Sequence, residues 1–340
     1  LGSKSTALGY GTLQTQNFST ATDTFNTAAG YNAGASVTTG IQNTLIGAQA
    51  GLAITESSNN VAVGNVALKA DTLGGRSVAV GASALETQNF ATSTSAYNIG
   101  VGFTAGQSIT TGIQNTIIGG LAGDALTDAD YNVALGTSAL GADTLGSRNT
   151  ALGRSALSSQ NFTTATDSYN TAVGFNAGTA VTTGVQNTII GGNAGDALTT
   201  GNSNVSVGYN SLSTNTAAHR NTAVGENALA TFNVTTSTNT YNTAVGYSAG
   251  VDITTGTSNT IMGGLAGDAL TEGSRNLVMG QGALTTDTLG SRSVALGYAT
   301  LTTQNFTTAT DSYNTAVGYV AGNSVTTATH NTLIGGQAGD

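Results

Sequence analysis

The chain has 340 residues and a formal net charge of −9, yet only 7% of its residues are charged, with 48 Gly and no Pro, Cys or Trp. Only eight Lys and Arg are present, without a basic run, which argues against nucleic-acid binding through phosphate contacts. The lack of Cys excludes disulfides and thiolate metal sites, and no apolar run approaches the length of a membrane-spanning helix.

From the N-terminus onward a nine-residue phrase recurs, of the form N-T-A-V-G-x-x-A-G or N-V-A-L-G-x-x-A-L. It opens at Ser5, Asn26, Asn43, Asn60, Ser77, Asn98, Asn115, Asn132, Asn149, Asn170, Asn187, Asn204, Asn221, Asn242, Asn259, Asn276, Ser293, Asn314 and Asn331, nineteen copies in all. The steps run 21, 17, 17 and 17, which sum to 72, and the cycle never slips. QNFTTATDSYNTAVG at 160–174 therefore returns intact at 304–318, two cycles later. Val, Ile, Leu and Thr recur throughout, unlike the Pro-rich, charged composition of disordered chains.

Units of this size are too short for two packed helices, which need roughly 33 residues. They fit one coil of a β-solenoid, with a strand-like stretch bounded by Gly and Asn. Helix caps followed by a 3.6-residue period are absent. The expected fold is all-β: a parallel β-solenoid, or β-roll, of about 19 stacked coils in a 17-17-17-21 pattern. It should run as one continuous segment over residues 1–340. At roughly 4.8 Å per coil the rod would be on the order of 90 Å long. LGSK at 1–4 matches LGSR at 145–148, and the terminal GGQAGD matches GGNAGD at 191–196. The chain thus reads as a window, without capping coils, cut from a longer protein.

Asn or Ser opens every phrase. Asn43, Asn115, Asn187, Asn259 and Asn331 open the third copy of each cycle. In stacked coils their amides are expected to form a ladder; the alternative is that Asn simply favours turns. Gly stands fifth in every copy, including Gly47, Gly119, Gly191, Gly263 and Gly335, where it permits a positive φ or a close backbone approach. Alternation along a strand separates the faces. Position four is apolar throughout, for example Leu8, Ile46, Val63, Val101, Leu152, Val173, Met262 and Ile334, and is expected to point into the coil. Position three is mostly Ala, but Leu45, Ile117, Ile189, Ile261 and Leu333 in the third copies. It is expected to face outward against a neighbouring chain. Val37, Ile109, Val181, Ile253 and Val325, with Leu126, Leu198 and Leu270, should close a thin core from the next side.

The 21-residue coil carries Phe18, Phe90, Phe162 and Phe306, then Phe25, Tyr97, Tyr169, Tyr241 and Tyr313; Val234 replaces the first aromatic once. This reads as a projecting loop tied down by its aromatics, with a ligand-binding platform as the alternative. Phe18, Phe90, Phe162, Tyr169, Phe306 and Tyr313 are the candidate receptor-facing residues. Arg76, Arg148 and Arg292 follow Asp71, Asp143 and Asp287 by five residues, with Asn215 before Arg220. Exposed Asp–Arg pairs worth roughly 0–1 kcal/mol each are expected. His219 and His330 are isolated substitutions. GGLAGD at 119–124 approaches the calcium-binding G-G-x-G-x-D repeat, but its spacing does not match, and Asp124, Asp196 and Asp268 read as turn residues. No pair of acids stands out for glycoside hydrolysis. No catalytic, metal or cofactor residue is assigned, and the chain is not read as an enzyme.

The phrase resembles the head repeats of trimeric autotransporter adhesins, which follow N-S-V-A-I-G-x-x-S-x-A. S77-V78-A79-V80-G81-A82-S83-A84 is the nearest copy, and N204-V205-S206-V207-G208 is another. Similar N-T-A-V-G repeats occur in phage tail fibres, often ahead of a cleaved intramolecular chaperone. The resemblance implies a left-handed β-roll that assembles as a trimer, although adhesin coils are usually shorter. It further implies a structural fibre or shaft, extracellular, at the cell surface or on a virion. The chain itself would be the main partner, with a cell-surface glycan or protein as receptor and no nucleic acid or membrane insertion. The alternatives are a self-assembling cell-surface filament, a polysaccharide-binding or -degrading tailspike, and an ice-binding solenoid. The last is disfavoured because T20-A21-T22, T164-A165-T166 and T308-A309-T310 recur once per cycle at best.

Overall fold

A computed structural model describes residues 2–340, and no helix occurs among them. Each of the nineteen phrases forms one three-residue strand over its positions two to four, from Thr6–Leu8 to Thr332–Ile334. Within each compact unit these strands pair in parallel from one coil to the next. Thr44, Leu45 and Ile46 face Val61, Ala62 and Val63, an offset of 17. Across the long coil the offset becomes 21, as in Val78 with Ile99. Phrase position stacks on phrase position whatever the coil length, so the architecture is a parallel β-solenoid. The chain divides into two compact units, Leu1–Tyr169 and Asn170–Asp340.

The fifth-position glycine ends every strand. Gly47 has φ +132°, and a Cβ there would lie 2.3 Å from the carbonyl oxygen of Gly64 on the next coil. Gly119, Gly191 and Gly263 repeat this with φ of +134°, +138° and +137°. Both reasons for Gly therefore hold at once: a left-handed backbone and a stack too tight for any side chain.

The two faces of the strand are reversed from expectation. Position three points inward: Ala28, Leu45, Ala62, Ile117, Ala134, Ile189 and Ile261 are fully buried. Position four points outward: Ile46 is 41% exposed and Met262 39%, with Leu8 and Ile334 at 71%. Leu45, Ile117, Ile189 and Ile261 are thus core residues, not a partner surface, and Leu333 lies half-buried on the same inner face. The physical reason is volume. Copies with Leu45 or Ile189 at position three carry Gly51 or Gly195 at position nine, whereas Ala62 and Ala79 face Leu68 and Leu85. A Cβ on Gly51 would meet Leu45 Cδ2 at 2.7 Å and Ile54 Cδ1 at 2.9 Å. Large and small side chains interchange between the two walls to fill a narrow interior. Leu68 and Leu85 reach it from left-handed backbone, with φ of 49° and 48°. Such strain costs about 1–3 kcal/mol, offset by about 1.5–3 kcal/mol for burying each side chain. The remaining wall is as expected: Val37, Ile109, Val181, Ile253, Leu126, Leu198 and Leu270 are fully buried, and Val325 is half-buried.

Candidate functional site: the corner of the long coil

The residue before each phrase forms a column along one corner, and it too has positive φ: Arg76 63°, Tyr97 52°, Arg148 64°, Tyr169 52°. The long coil reaches this corner in two steps. Thr72 meets Asn89 at an offset of 17, Gly74–Gly75 pairs with Thr94–Ser95 at 20, and Val78 pairs with Ile99 at 21. Three extra residues thus enter between Asn89 and Thr94, where Ala91, Thr92 and Ser93 are exposed. The fourth enters after Ser95 as buried Ala96. In other cycles this buried residue carries a hydroxyl that donates to the coil below, as Ser168 Oγ does to the Ser147 carbonyl at 3.1 Å.

The aromatics separate at this point. Phe18, Phe90, Phe162 and Phe306 are only 5–9% exposed. They anchor the loop from inside, and their assignment as receptor-facing residues is corrected: a ring inserted below an exposed three-residue tip cannot meet a partner. Tyr169 and Tyr313 are 52% and 46% exposed and do face outward. Cations lie against these rings, with Arg148 Cζ 5.8 Å from the Tyr169 ring and Arg292 Cζ 5.4 Å from that of Tyr313.

The Asp–Arg pairing also differs. Arg148 and Arg292 pair at 2.9 Å with Asp167 and Asp311, and Lys4 at 2.6 Å with Asp23. All three acids come from the loop of the following coil. Asp71, Asp143 and Asp287 instead turn inward and are fully buried. Asp143 Oδ2 accepts from Gln160 Nε2 at 2.6 Å, while its Oδ1 accepts from the Gly146 and Phe162 backbone N–H groups at 3.1 and 3.2 Å. Burial pushes Asp71 up to about 6, against the opposing pull of Gln88 and the backbone N–H groups of Gly74, Phe90 and Leu73. Asp143 and Asp287 are raised for the same reason. Sequence reasoning missed Gln88, Gln160 and Gln304, each fully buried. The signal was present: where Asp becomes Asn215, Gln becomes Phe232 and Phe becomes Val234.

The asparagine ladder runs mainly through the backbone. Asn187 N–H donates to Asn170 Oδ1 at 2.9 Å, its Nδ2 to the Gly201 carbonyl at 2.9 Å, and its Oδ1 accepts the Asn204 N–H at 2.9 Å. Asn43, Asn115 and Asn259 repeat the pattern, and Asn331 donates both its N–H and its Nδ2 to Asn314 Oδ1. Each amide closes its own coil and receives the next.

A cleft of about 190 Å³ opens at Arg76, bordered by Glu56, Ser58, Asn59, Thr94 and Ser95. Among the described residues no group of three or more His, Cys, Asp or Glu side chains is placed to hold a metal ion, and no helix is long and apolar enough to cross a membrane. Comparison with protein-family models, with curated proteins and with solved structures finds no match to this chain.

Proposed function

We propose that the chain is a shaft segment of an extracellular or virion-associated attachment fibre. Three left-handed solenoids associate side by side along their outward strand faces. The observation that carries this is the outward position four, which is apolar in all nineteen copies, while neither position two nor position four is ever charged. Nine coils at about 4.8 Å, across a strand about 7 Å wide, give a continuous strip on the order of 300 Å² on the first unit alone, as large as the main apolar patch of a typical monomer. A second copy of the same face is the occupant that matches such a strip in length, spacing and lack of charge. The fibre reading assigns no catalytic step, and receptor contact falls to the exposed loop tips and to Tyr169 and Tyr313. Mass measurement of the native assembly should give three times 33.4 kDa. Ile118→Asp and Leu135→Asp should reduce it to one chain without unfolding, because both side chains leave the core untouched. A wild-type single chain at micromolar concentration would sink the fibre reading.

One observation favours a second reading. Thr occupies the outward position two in twelve of the nineteen copies, beside an aliphatic at position four. The regular Thr file therefore lies on the strand face rather than in the loop, and a flat array of methyls and hydroxyls matches an ice surface. Thermal hysteresis in a solution of the chain would support ice binding; its absence would remove it.

A further inference from the structure

We infer that the cleft at Arg76 binds the carboxylate of an acidic sugar, such as a uronic-acid unit of a polysaccharide. The chain itself shows what this corner holds. At equivalent corners Lys4, Arg148 and Arg292 each pair with a loop carboxylate, Asp23, Asp167 or Asp311. At Arg76 that position is Ser95 and at Arg220 it is Asn239, while the place of Asp130, which lies near Arg148, is held by Ser58 here and by Ser274 at the Arg292 corner. Among the described residues Arg76 has no carboxylate within ion-pair distance; its Nη1 donates to Ser95 Oγ.

A second change coincides with the missing loop acid. The backbone N–H of the residue at Ser58's position is capped at the other corners by a side chain from the neighbouring coil. Asp130 N–H donates to Ser147 Oγ at 3.0 Å, Asn202 N–H to His219 Nδ1 at 2.7 Å, and Ser274 N–H to Ser291 Oγ at 3.0 Å. The capping position is Gly75 here, so the Ser58 N–H has no partner among the described residues and the cleft opens above it. Loss of the loop acid and of the cap leaves a guanidinium and an amide donor facing one space. A carboxylate accepts from both: guanidinium–carboxylate pairing is charge-assisted and can be bidentate.

The rest of the lining selects a sugar. Ser93, Thr94 and Ser95 line it with hydroxyl-bearing side chains, and the Tyr97 ring, 51% exposed, lies 5.7 Å from the Arg76 guanidinium carbon. Glu56 borders the cleft; Asp128 and Glu272 hold its place at two other corners, so it does not substitute for the missing loop acid. Its charge disfavours phosphates and other multiply charged anions. Binding at Arg76 requires neither the oligomer nor the shaft role, so a single-chain mass would leave it standing.

The test is calorimetric titration of the whole chain with trigalacturonic acid and, separately, with its neutral methyl ester. The wild type should bind the acid at one site per chain and the ester at least about tenfold more weakly, as loss of a charged hydrogen-bonded pair implies. Arg76→Gln and Ser95→Asp, which supplies the internal carboxylate, should each weaken binding by a similar factor. The triple variant D130S/S147G/D167S should add a second site. No binding at millimolar acid, equal binding of the ester, or unchanged binding by Ser95→Asp would overturn the inference. Equal binding of a Gly-Asp-Gly peptide would overturn the assignment to a sugar.

Discussion

Two residue types set the repeat, and each does so through the coil above it. Gly119 has φ +134°, and a Cβ there would stand 2.6 Å from the Gly136 carbonyl oxygen. Gly119→Ala combines backbone strain with overpacking and should cost roughly 2–6 kcal/mol, visible as a lowered thermal midpoint and local loss of amide protection. Asn187→Ala would leave the buried Asn204 N–H and Gly201 carbonyl unpaired, at about 1–3 kcal/mol for each. Asn187→Ser should not restore the midpoint, because Ser77 and Ser293 succeed at this position only with Gln88 or Gln304 donating to them, at 3.0 and 2.9 Å. Both positions were legible in the sequence, since an invariant Gly and an invariant Asn or Ser mark backbone demands. The direction of the Asn hydrogen bonds was not legible, because amide–amide and amide–backbone ladders share one spacing.

Within a coil, the three-residue strand explains why the inner and outer faces were reversed. Alternation needs more than one residue per face, and positions two to four offer a single inward side chain. When both faces are apolar, hydropathy cannot choose; the exchange of Leu and Gly between positions three and nine can. Ile189→Ala should therefore cost about 2–5 kcal/mol as a core truncation, whereas Ile190→Ala, on the outer face, should leave the thermal midpoint of the single chain nearly unchanged. The long coil adds a pH dependence. Burial holds Asp71 at about 6 in the folded chain, above the ordinary carboxylate value of 3.8, so its neutral form is favoured by folding. That contribution is fully present below about pH 4 and declines as pH rises through 6, by about 3 kcal/mol for this group. Thermal melts should show greater stability at pH 4.5 than at pH 7.5. The variant D71N/S77N/Q88F/F90V, which copies Asn215, Asn221, Phe232 and Val234, should fold and show a shallower dependence. A steeper one would mean that the buried carboxylate is not the source.

Across the molecule, both compact units carry the same cycle, and stability should follow the sum of coil-to-coil contacts rather than one central core. The solenoid and its period were readable from spacing alone, because stacking restrains length more tightly than letters. The Arg76 cleft was not, since it arises from two residues, an acid and a cap, missing against a pattern that only the folded corner makes visible. The oligomer prediction belongs at this scale: Ile118→Asp and Leu135→Asp act on assembly mass, whereas Ile189→Ala acts on melting, and the two readouts should not cross. The passage from an offset of 17 through 20 to 21 carries a further consequence. Three of the four added residues are absorbed at one exposed tip and the fourth as buried Ala96 beside the corner, and the ladder resumes as though nothing had been added. The tip at 91–93, and its counterpart at 163–165, are therefore insertion points where a foreign peptide could be carried at a fixed pitch of four coils without disturbing any strand on either side.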